Sequence, residues 1–318
     1  MATRERFAGI VGAGLIGCSW AHVFARAGWQ VRVWDPSAAQ RDAAAGRIAT
    51  SLQDLQAHGL VSDAAAAAAR VRVVERLEDA VSCAEYVQEC GPEELQTKRD
   101  TFAALDAAAS AHCVLASSTS AIVTSLFTES LPGRARCLVA HPVNPPHLVP
   151  VVELCGAPWT SGETKARAQA VIRDVGQVPV DVKREIDGFV LNRLQAALLS
   201  EAFRLVRDGV VSAEDLDHTI ADGLGLRWAF MGPFDTIELN APQGVADYCE
   251  RYSAWFRRYV ADLPPSDVWE DASWRAVAAA CGPARDADAI ARKSRWRNER
   301  LAALAAHKQQ QTPFDDEF

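Results

Sequence analysis

Gly12-Ala13-Gly14-Leu15-Ile16-Gly17 follows directly on the apolar run Phe7–Val11 and opens a segment of helical character. A G-x-G-x-x-G set between a strand and a helix leaves few folds to choose from. The first glycine allows the tight turn, the second lets backbone approach a pyrophosphate, and the third brings the helix close to the strand. The helix start then presents unpaired amides and the positive end of its dipole to the phosphates. The next apolar run, Val31–Trp34, ends at Asp35, 18 residues after Gly17, where a carboxylate accepts from the adenosine ribose hydroxyls. The same carboxylate would repel a 2′-phosphate, so the pattern predicts NAD rather than NADP. A glycine turn without a ligand is the bland alternative. It accounts poorly for strand, glycines, helix and acid arriving in this order.

The rest of the first half repeats the same alternation, as βαβ units do. Strands are expected at Phe7–Val11, Val31–Trp34, Val71–Val74, Tyr86–Glu89, Cys113–Ala116, Cys137–Ala140, Val151–Leu154 and Val178–Val182. Helices fall between them, including the Ala-rich stretch Ala64–Ala69 and a segment over residues 163–175 with Ser161 as its N-cap. From Phe189 onward the periodicity is helical, with Leu191, Leu194, Leu198 and Phe203 expected to form one buried stripe. Ser212 before Asp215 reads as the cap of a further helix. The predicted architecture is a doubly wound α/β Rossmann domain over residues 1–185, followed by an all-helical domain over 186–318 with a frayed polar end from Gln309. At 318 residues, two domains also match the usual size of about 100–200 residues each.

Composition narrows the partners. A net charge of −8 disfavours nucleic acid and anionic membrane surfaces. The eight Cys include no C-x-x-C pair, so neither a zinc site nor a disulfide framework is expected, and no metal is assigned. No signal-peptide stretch precedes Phe7, and no run approaches the roughly 18 apolar residues of a membrane helix. A cytoplasmic protein acting on a small molecule is the expectation.

Oxidising an alcohol by hydride transfer needs a base for the hydroxyl proton. Of seven His, His141 is placed best, because it ends a strand in Ala140-His141-Pro142-Val143-Asn144-Pro145-Pro146. Ligands of open α/β sheets lie at the carboxyl ends of strands. Glu153, in the apolar run Val151–Leu154, needs a partner if it is buried. Pairing it with His141 fixes the imidazole tautomer and stabilises the imidazolium. Position alone leaves a purely structural His–Glu pair equally open. Ser117-Ser118-Thr119-Ser120 follows another strand, and Asn192 is a polar residue opening an apolar helix face. Each alone reads more simply as a local hydrogen-bonding residue.

Taken together, these segments resemble the 3-hydroxyacyl-CoA dehydrogenase superfamily, and more closely its lambda-crystallin, L-gulonate 3-dehydrogenase branch. The likeness spans Ile10–Trp20, Ser117–Ser120, Ala140–Leu154, Gly188–Leu194 and Arg227–Pro233, nearly the whole chain. It implies His141 as catalytic base, Glu153 as its carboxylate partner, and Ser120 and Asn192 as a substrate-positioning pair. It also implies nucleotide contacts at Leu15, Ile16, Asp35, Glu93, Lys98 and Asn144, and a homodimer. Two departures weaken an acyl-CoA substrate. The Gly-Phe-Tyr-type tail of many acyl-CoA members is absent, and the helix after Asp35 has no Lys, only Arg41 and Arg47 as cations. His147-Leu148 also departs from the branch's usual aromatic pair. Arg227, in an expected Gly223–Gly232 turn, is the candidate for holding a substrate carboxylate at the domain interface. The expected activity is NAD-dependent oxidation of a small 3-hydroxy acid. L-carnitine dehydrogenase, short-chain 3-hydroxyacyl-CoA dehydrogenase and a non-catalytic, crystallin-like NAD binder are the rivals.

Overall fold

The computed structural model describes residues 5–261, 266–281 and 286–311. Its strands are β1 (Phe7–Val11), β2 (Gln30–Trp34), β3 (Val71–Val73), β4 (Tyr86–Glu89), β5 (Val114–Ser117), β6 (Cys137–Pro142), β7 (Val151–Gly156) and β8 (Val178–Val182). All lie in one sheet, in the order β3-β2-β1-β4-β5-β6-β7-β8. Every neighbouring pair is parallel except β6 and β7, which run antiparallel. The chain works outward from β1 in one direction, then returns to start again at β4. The crevice at that reversal is where such sheets take ligands. Each expected strand is present, with ends shifted by a residue or two in either direction.

The two faces of the sheet separate by simple alternation. Ala8, Ile10, Tyr86, Val114, Ala116, Leu138 and Ala140 belong to one buried cluster, while Val11, Val87, Leu115, Val139 and Cys155 belong to the other. The helix Leu15–Arg26 fills the first face with Trp20, Val23 and Phe24, and the helix Leu95–Ala108 covers the second with Phe102 and Leu105. Ser161 caps the helix Gly162–Asp174, its hydroxyl accepting from the Thr164 amide at 3.0 Å.

The division of the chain differs from the expected one at 185. Met1–Asn192 and Asp288–Phe318 form one compact unit, and Arg193–Ala287 a second. The helix Ala287–Gln309 returns to the first unit because Ala302 is buried in its core, with Leu301 packed against the same cluster. Helical periodicity identifies such a segment as a helix without saying which core receives it. Of the end expected to fray, the residues past 311 lie outside those described.

In the second unit, Ser212 caps the helix Ala213–His218 as expected, accepting from the Asp215 amide at 3.0 Å and donating to its carboxylate at 2.7 Å. Two expectations need correction. The Gly223–Gly232 turn is largely helical, a π-turn over Thr219–Leu224 running into the helix Gly225–Trp228. The stripe from Leu191 to Phe203 is not buried: the helix Leu191–Arg207 has no buried residue, and Leu194 is 65% exposed. The face is apolar and periodic; at its Phe203 end the ring packs on Trp269 with centroids 4.8 Å apart, while Leu194 and Leu198 stay exposed.

Candidate active site and nucleotide cleft

β1 delivers the glycine loop to the reversal point. Gly12 has φ 107°, and a Cβ there would stand 2.7 Å from the Cys90 carbonyl oxygen. A Cβ on Gly17 would stand 1.8 Å from the Gly12 carbonyl oxygen, so helix and loop touch through it. Gly14 differs: its φ is −71°, and a Cβ would meet nothing of the chain within 4 Å. No internal contact requires glycine there, and the open space in front of it is what an approaching ligand uses. Gly14 is also the N-cap of the helix Leu15–Arg26, which has no side-chain cap and no acid in its first turn. Leu15 and Ile16 form that first turn, with Leu15 82% exposed. Amides left free in this way suit phosphate oxygens.

A cavity of about 610 Å³ opens beside this loop, lined by Gly12, Gly14, Asp35, Glu89, Gly91 and Thr97 among others. Asp35 Oδ2 accepts from the Ala13 amide at 2.8 Å and Oδ1 from the Ser37 amide at 2.8 Å, which ties the carboxylate to both loops of the adenosine side. Arg41 donates to the Asp35 and Pro36 carbonyls, and Arg47 to the Ala13 carbonyl and Gln40. Both guanidinium groups therefore brace the cleft. Free helix amides, an unfilled glycine and a carboxylate at the far end fit a dinucleotide.

Lys98 is not on the cavity wall. Its Nζ donates to both Glu89 oxygens, at 2.8 and 2.9 Å, and to the Gly91 carbonyl at 3.2 Å, with both side chains 1% exposed. Lys98 forms a buried ion pair, because an acid ending β4 inside the sheet costs too much without a cation. Ser117 and the Gly91 amide complete the set, donating to Glu89 at 2.6 Å each. Sequence reasoning missed this group. The signals were present: Glu89 ends an apolar strand as Glu153 does, and Lys98 shares a helical stripe with the buried Phe102 and Leu105.

His141 and Glu153 are direct cross-strand partners in the antiparallel β6–β7 ladder. Such pairs project to the same face with their Cβ atoms about 5 Å apart. His141 Nδ1 donates to Glu153 Oε2 at 2.8 Å, and both residues are buried. The other oxygen, Oε1, accepts from the Val190 and Leu191 amides at 2.8 Å each. Burial alone would raise the Glu153 carboxyl. The hydrogen bonds from His141 and from the Leu191 and Val190 amides outweigh it and hold the group below its ordinary value. An ionised carboxylate only accepts, so Nδ1 carries a hydrogen, and in the neutral imidazole the lone pair falls on Nε2.

The two amides reach Glu153 through a turn that the sequence did not disclose. Phe189 is a non-glycine residue at φ 49°, following Gly188 at φ 75°. That conformation costs about 1–2 kcal/mol, and charge-assisted bonds to the carboxylate offset it. The Phe189 ring is fully buried with its centroid 5.6 Å from that of His141.

Asn192, in the first turn of the next helix, donates through Nδ2 to the Ser120 carbonyl at 2.8 Å, so this expected pair does meet. Glu93 takes its partners from the β5 loop: the Thr119 hydroxyl and the Ser120 and Ala121 amides. Asn144 is exposed and precedes a cis peptide bond to Pro145. Arg227 is exposed on the helix Gly225–Trp228 of the second unit. Among the described residues, no group of three or more His, Cys, Asp or Glu could hold a metal ion, and no helix is long and apolar enough to cross a membrane.

Residues 7–186 match the 3-hydroxyacyl-CoA dehydrogenase NAD binding domain, and residues 188–271 match the C-terminal domain of the same family. Lambda-crystallin of Oryctolagus cuniculus is 42% identical over 96% of this chain and 97% of its own length. An L-carnitine dehydrogenase of Pseudomonas sp is 35% identical over 92% of this chain and 91% of its own. The solved structure of 5-formyl-3-hydroxy-2-methylpyridine 4-carboxylic acid 5-dehydrogenase, an NAD+ dependent dismutase, superposes with a TM-score of 0.85. It is 28% identical and covers 97% of this chain and 100% of that one.

Proposed function

The chain belongs to the 3-hydroxyacyl-CoA dehydrogenase family, as an NAD-dependent oxidoreductase of its lambda-crystallin branch, and from that footing we propose that it oxidises a small 3-hydroxy acid to the 3-oxo acid. L-gulonate is the substrate we assign first. The observation that carries the reading is the buried pair at 2.8 Å between His141 Nδ1 and Glu153, at the end of the sheet that also forms the nucleotide cleft.

Bound NAD supplies the acceptor for the hydride of the carbinol carbon. The chain does the rest. His141 Nε2 takes the hydroxyl proton, while Glu153 keeps Nδ1 protonated and balances the imidazolium as it forms. The Val190 and Leu191 amides keep the carboxylate ionised and fixed. Ser120 and Asn192 position the substrate oxygen, and Arg227 meets the substrate carboxylate. Nucleotide contacts are assigned to Gly12, Gly14, Leu15, Ile16, Gly17, Asp35, Glu93, Lys98 and Asn144, with Lys98 held in place by Glu89 and the Gly91 carbonyl.

A free acid is favoured over an acyl-CoA by the helix Ala38–Ala57. It has no Lys, and its two Arg are engaged by carbonyls of the cleft rather than directed to a second phosphate group. We also assign a homodimer, supported by the exposed Leu194, Leu198 and Leu199 on one helix and Trp255, Phe256 and Tyr259 on another. The setting we assign is cytoplasmic.

The test is a panel of L-gulonate, L-carnitine and 3-hydroxybutyryl-CoA with NAD, followed by NADH absorbance. The highest kcat/KM is expected for L-gulonate. Preference for 3-hydroxybutyryl-CoA by more than about tenfold, roughly 1.4 kcal/mol of transition-state binding, overturns the free-acid assignment. Preference for L-carnitine overturns the sugar-acid one.

A further inference from the structure

Gln88 is a fully buried amide on β4, flanked on one apolar face of the sheet by Ile10 of β1 and Ala116 of β5. An amide there is costly unless its hydrogen bonds are met. Its Oε1 accepts from the Tyr86 hydroxyl at 2.8 Å. Burial pushes that phenol well above its ordinary value, so it stays a donor. Nε2 donates to Ser118 Oγ at 2.7 Å and to the Ala140 carbonyl at 3.1 Å, which uses both of its hydrogens. Ala116, with only a methyl group, leaves the side chain room to cross β5. The β5–β6 pairing ends at Ser117 and Val139, and the Thr119 amide beyond it turns to the Ser117 hydroxyl at 3.2 Å. The Ala140 carbonyl takes Gln88 in place of a ladder amide. Ser118 Oγ also lies 3.2 Å from the Sγ of Cys90, a residue of the nucleotide cavity wall.

The Ala140 carbonyl belongs to the peptide unit whose nitrogen is that of His141. Gln88 therefore holds the backbone of His141 as Glu153 holds its ring. The same amide nitrogen holds Ser118, two residues before Ser120. We propose that Gln88 is a positioning residue for His141: by tying the His141 peptide to the Ser118–Ser120 loop, it fixes the distance from proton acceptor to substrate oxygen. This rests on the roles proposed above for His141 and Ser120. Tyr86 selects one orientation of the amide, since a flipped one would turn Oε1 toward the Ser118 and Ala140 oxygens. A fully satisfied buried network of this kind specifies a single arrangement. Misplacing a reacting group by about 1 Å costs about 10²-fold, while the contacts that bind substrate and nucleotide stay in place. Gln88 thus sets kcat and leaves KM and the affinity for NAD nearly untouched.

Two variants test this. Gln88→Met keeps the bulk and removes both donors. Ser118→Ala cuts the tie to the loop and leaves the bonds to Tyr86 and Ala140. At saturating NAD and hydroxy acid, kcat should fall about 30-fold in Gln88→Met and about fivefold in Ser118→Ala. KM should stay within threefold, and the calorimetric Kd for NAD within twofold. The double variant should be no slower than Gln88→Met, because one tie serves both residues. Deuterium on the carbinol carbon should slow Gln88→Met more than wild type, as misalignment makes hydride transfer limiting. Hydrogen exchange over residues 137–142, followed by mass spectrometry, should speed up about tenfold in Gln88→Met. A merely stabilising amide would lower Tm but leave kcat and the isotope effect of the folded variant unchanged, and that result overturns the proposal. So does additive loss in the double variant, or a weakened Kd for NAD in place of a lowered kcat. If Gln88→Met does not fold, an unchanged kcat in Ser118→Ala overturns it equally. Absence of turnover in the wild-type panel would instead defeat the functional reading, and unchanged exchange would still reject the tie.

Discussion

Glu153→Gln separates the charge of the His141 partner from its shape. The retained oxygen can still accept from the Val190 and Leu191 amides, each 2.8 Å away in the native carboxylate, so the turn at Phe189 keeps its anchor. The new amide nitrogen faces His141 Nδ1 and donates to it. Nδ1 must then accept, and the imidazole hydrogen moves to Nε2, the atom that has to take the substrate proton. A second loss adds to the wrong tautomer. A charge pair about 4 Å apart at an effective dielectric near 20 is worth about 4 kcal/mol, and the variant has no anion to stabilise the imidazolium. In a Ser-His-Asp triad the corresponding exchange costs about 10⁴-fold. We expect kcat to fall about 10²- to 10⁴-fold, equivalent to about 3–5 kcal/mol, with Kd for NAD within twofold. NADH formation at saturating NAD and acid gives kcat, and thermal unfolding checks the fold. A folded variant with kcat within tenfold of wild type would refute the assignment of tautomer control to Glu153.

Further outcomes follow from the same geometry. Gly14→Ala should leave stability within about 0.5 kcal/mol, as its Cβ meets nothing, yet weaken NAD about tenfold or more; unchanged affinity would remove Gly14 from the pyrophosphate site. Gly17→Ala should cost about 3 kcal/mol or more in denaturant unfolding, because its Cβ would overlap the Gly12 carbonyl. Asp35→Ala should raise the KM for NAD and narrow its advantage over NADP; unchanged discrimination would take Asp35 out of the ribose site. Burial, with Arg26 nearby, pushes His22 down to about 3 and His147 down to about 4. Both stay neutral when folded but bind protons near pH 6.5 once unfolded, so stability should fall as pH drops from about 6.5 toward 4. His22→Asn should flatten that slope in a pH series of unfolding curves. Glu153, held below its ordinary value when folded, stabilises the fold above the usual carboxyl range. Its contribution is lost as pH falls through the folded value.

Most of what positions the site could be read from residue order. Strand, glycine loop, helix and Asp35 occur in an order that one topology satisfies. The His141–Glu153 pairing was legible because a histidine at a strand end and an acid inside the next apolar run each lacked a partner. Three other features were missed for different reasons. The Lys98–Glu89 pair left signals on each of its two elements, but the two meet across a helix–strand contact that spacing does not encode. The Leu191–Phe203 stripe gave the correct helix but not its cover, since periodicity reports an apolar face and not what buries it. The return of Ala287–Gln309 to the first unit rests on Ala302 and Leu301 finding a core whose other members all lie more than 120 residues earlier.

His141→Gln tests the central claim most directly. Steady-state NADH formation and calorimetric binding of NAD should be measured on the same folded preparation. The account predicts turnover lost by at least about 10³-fold, at the upper part of the range for a positioned base, with NAD affinity within twofold of wild type. Turnover within tenfold of wild type would contradict it and send the search for the proton acceptor elsewhere in the cleft.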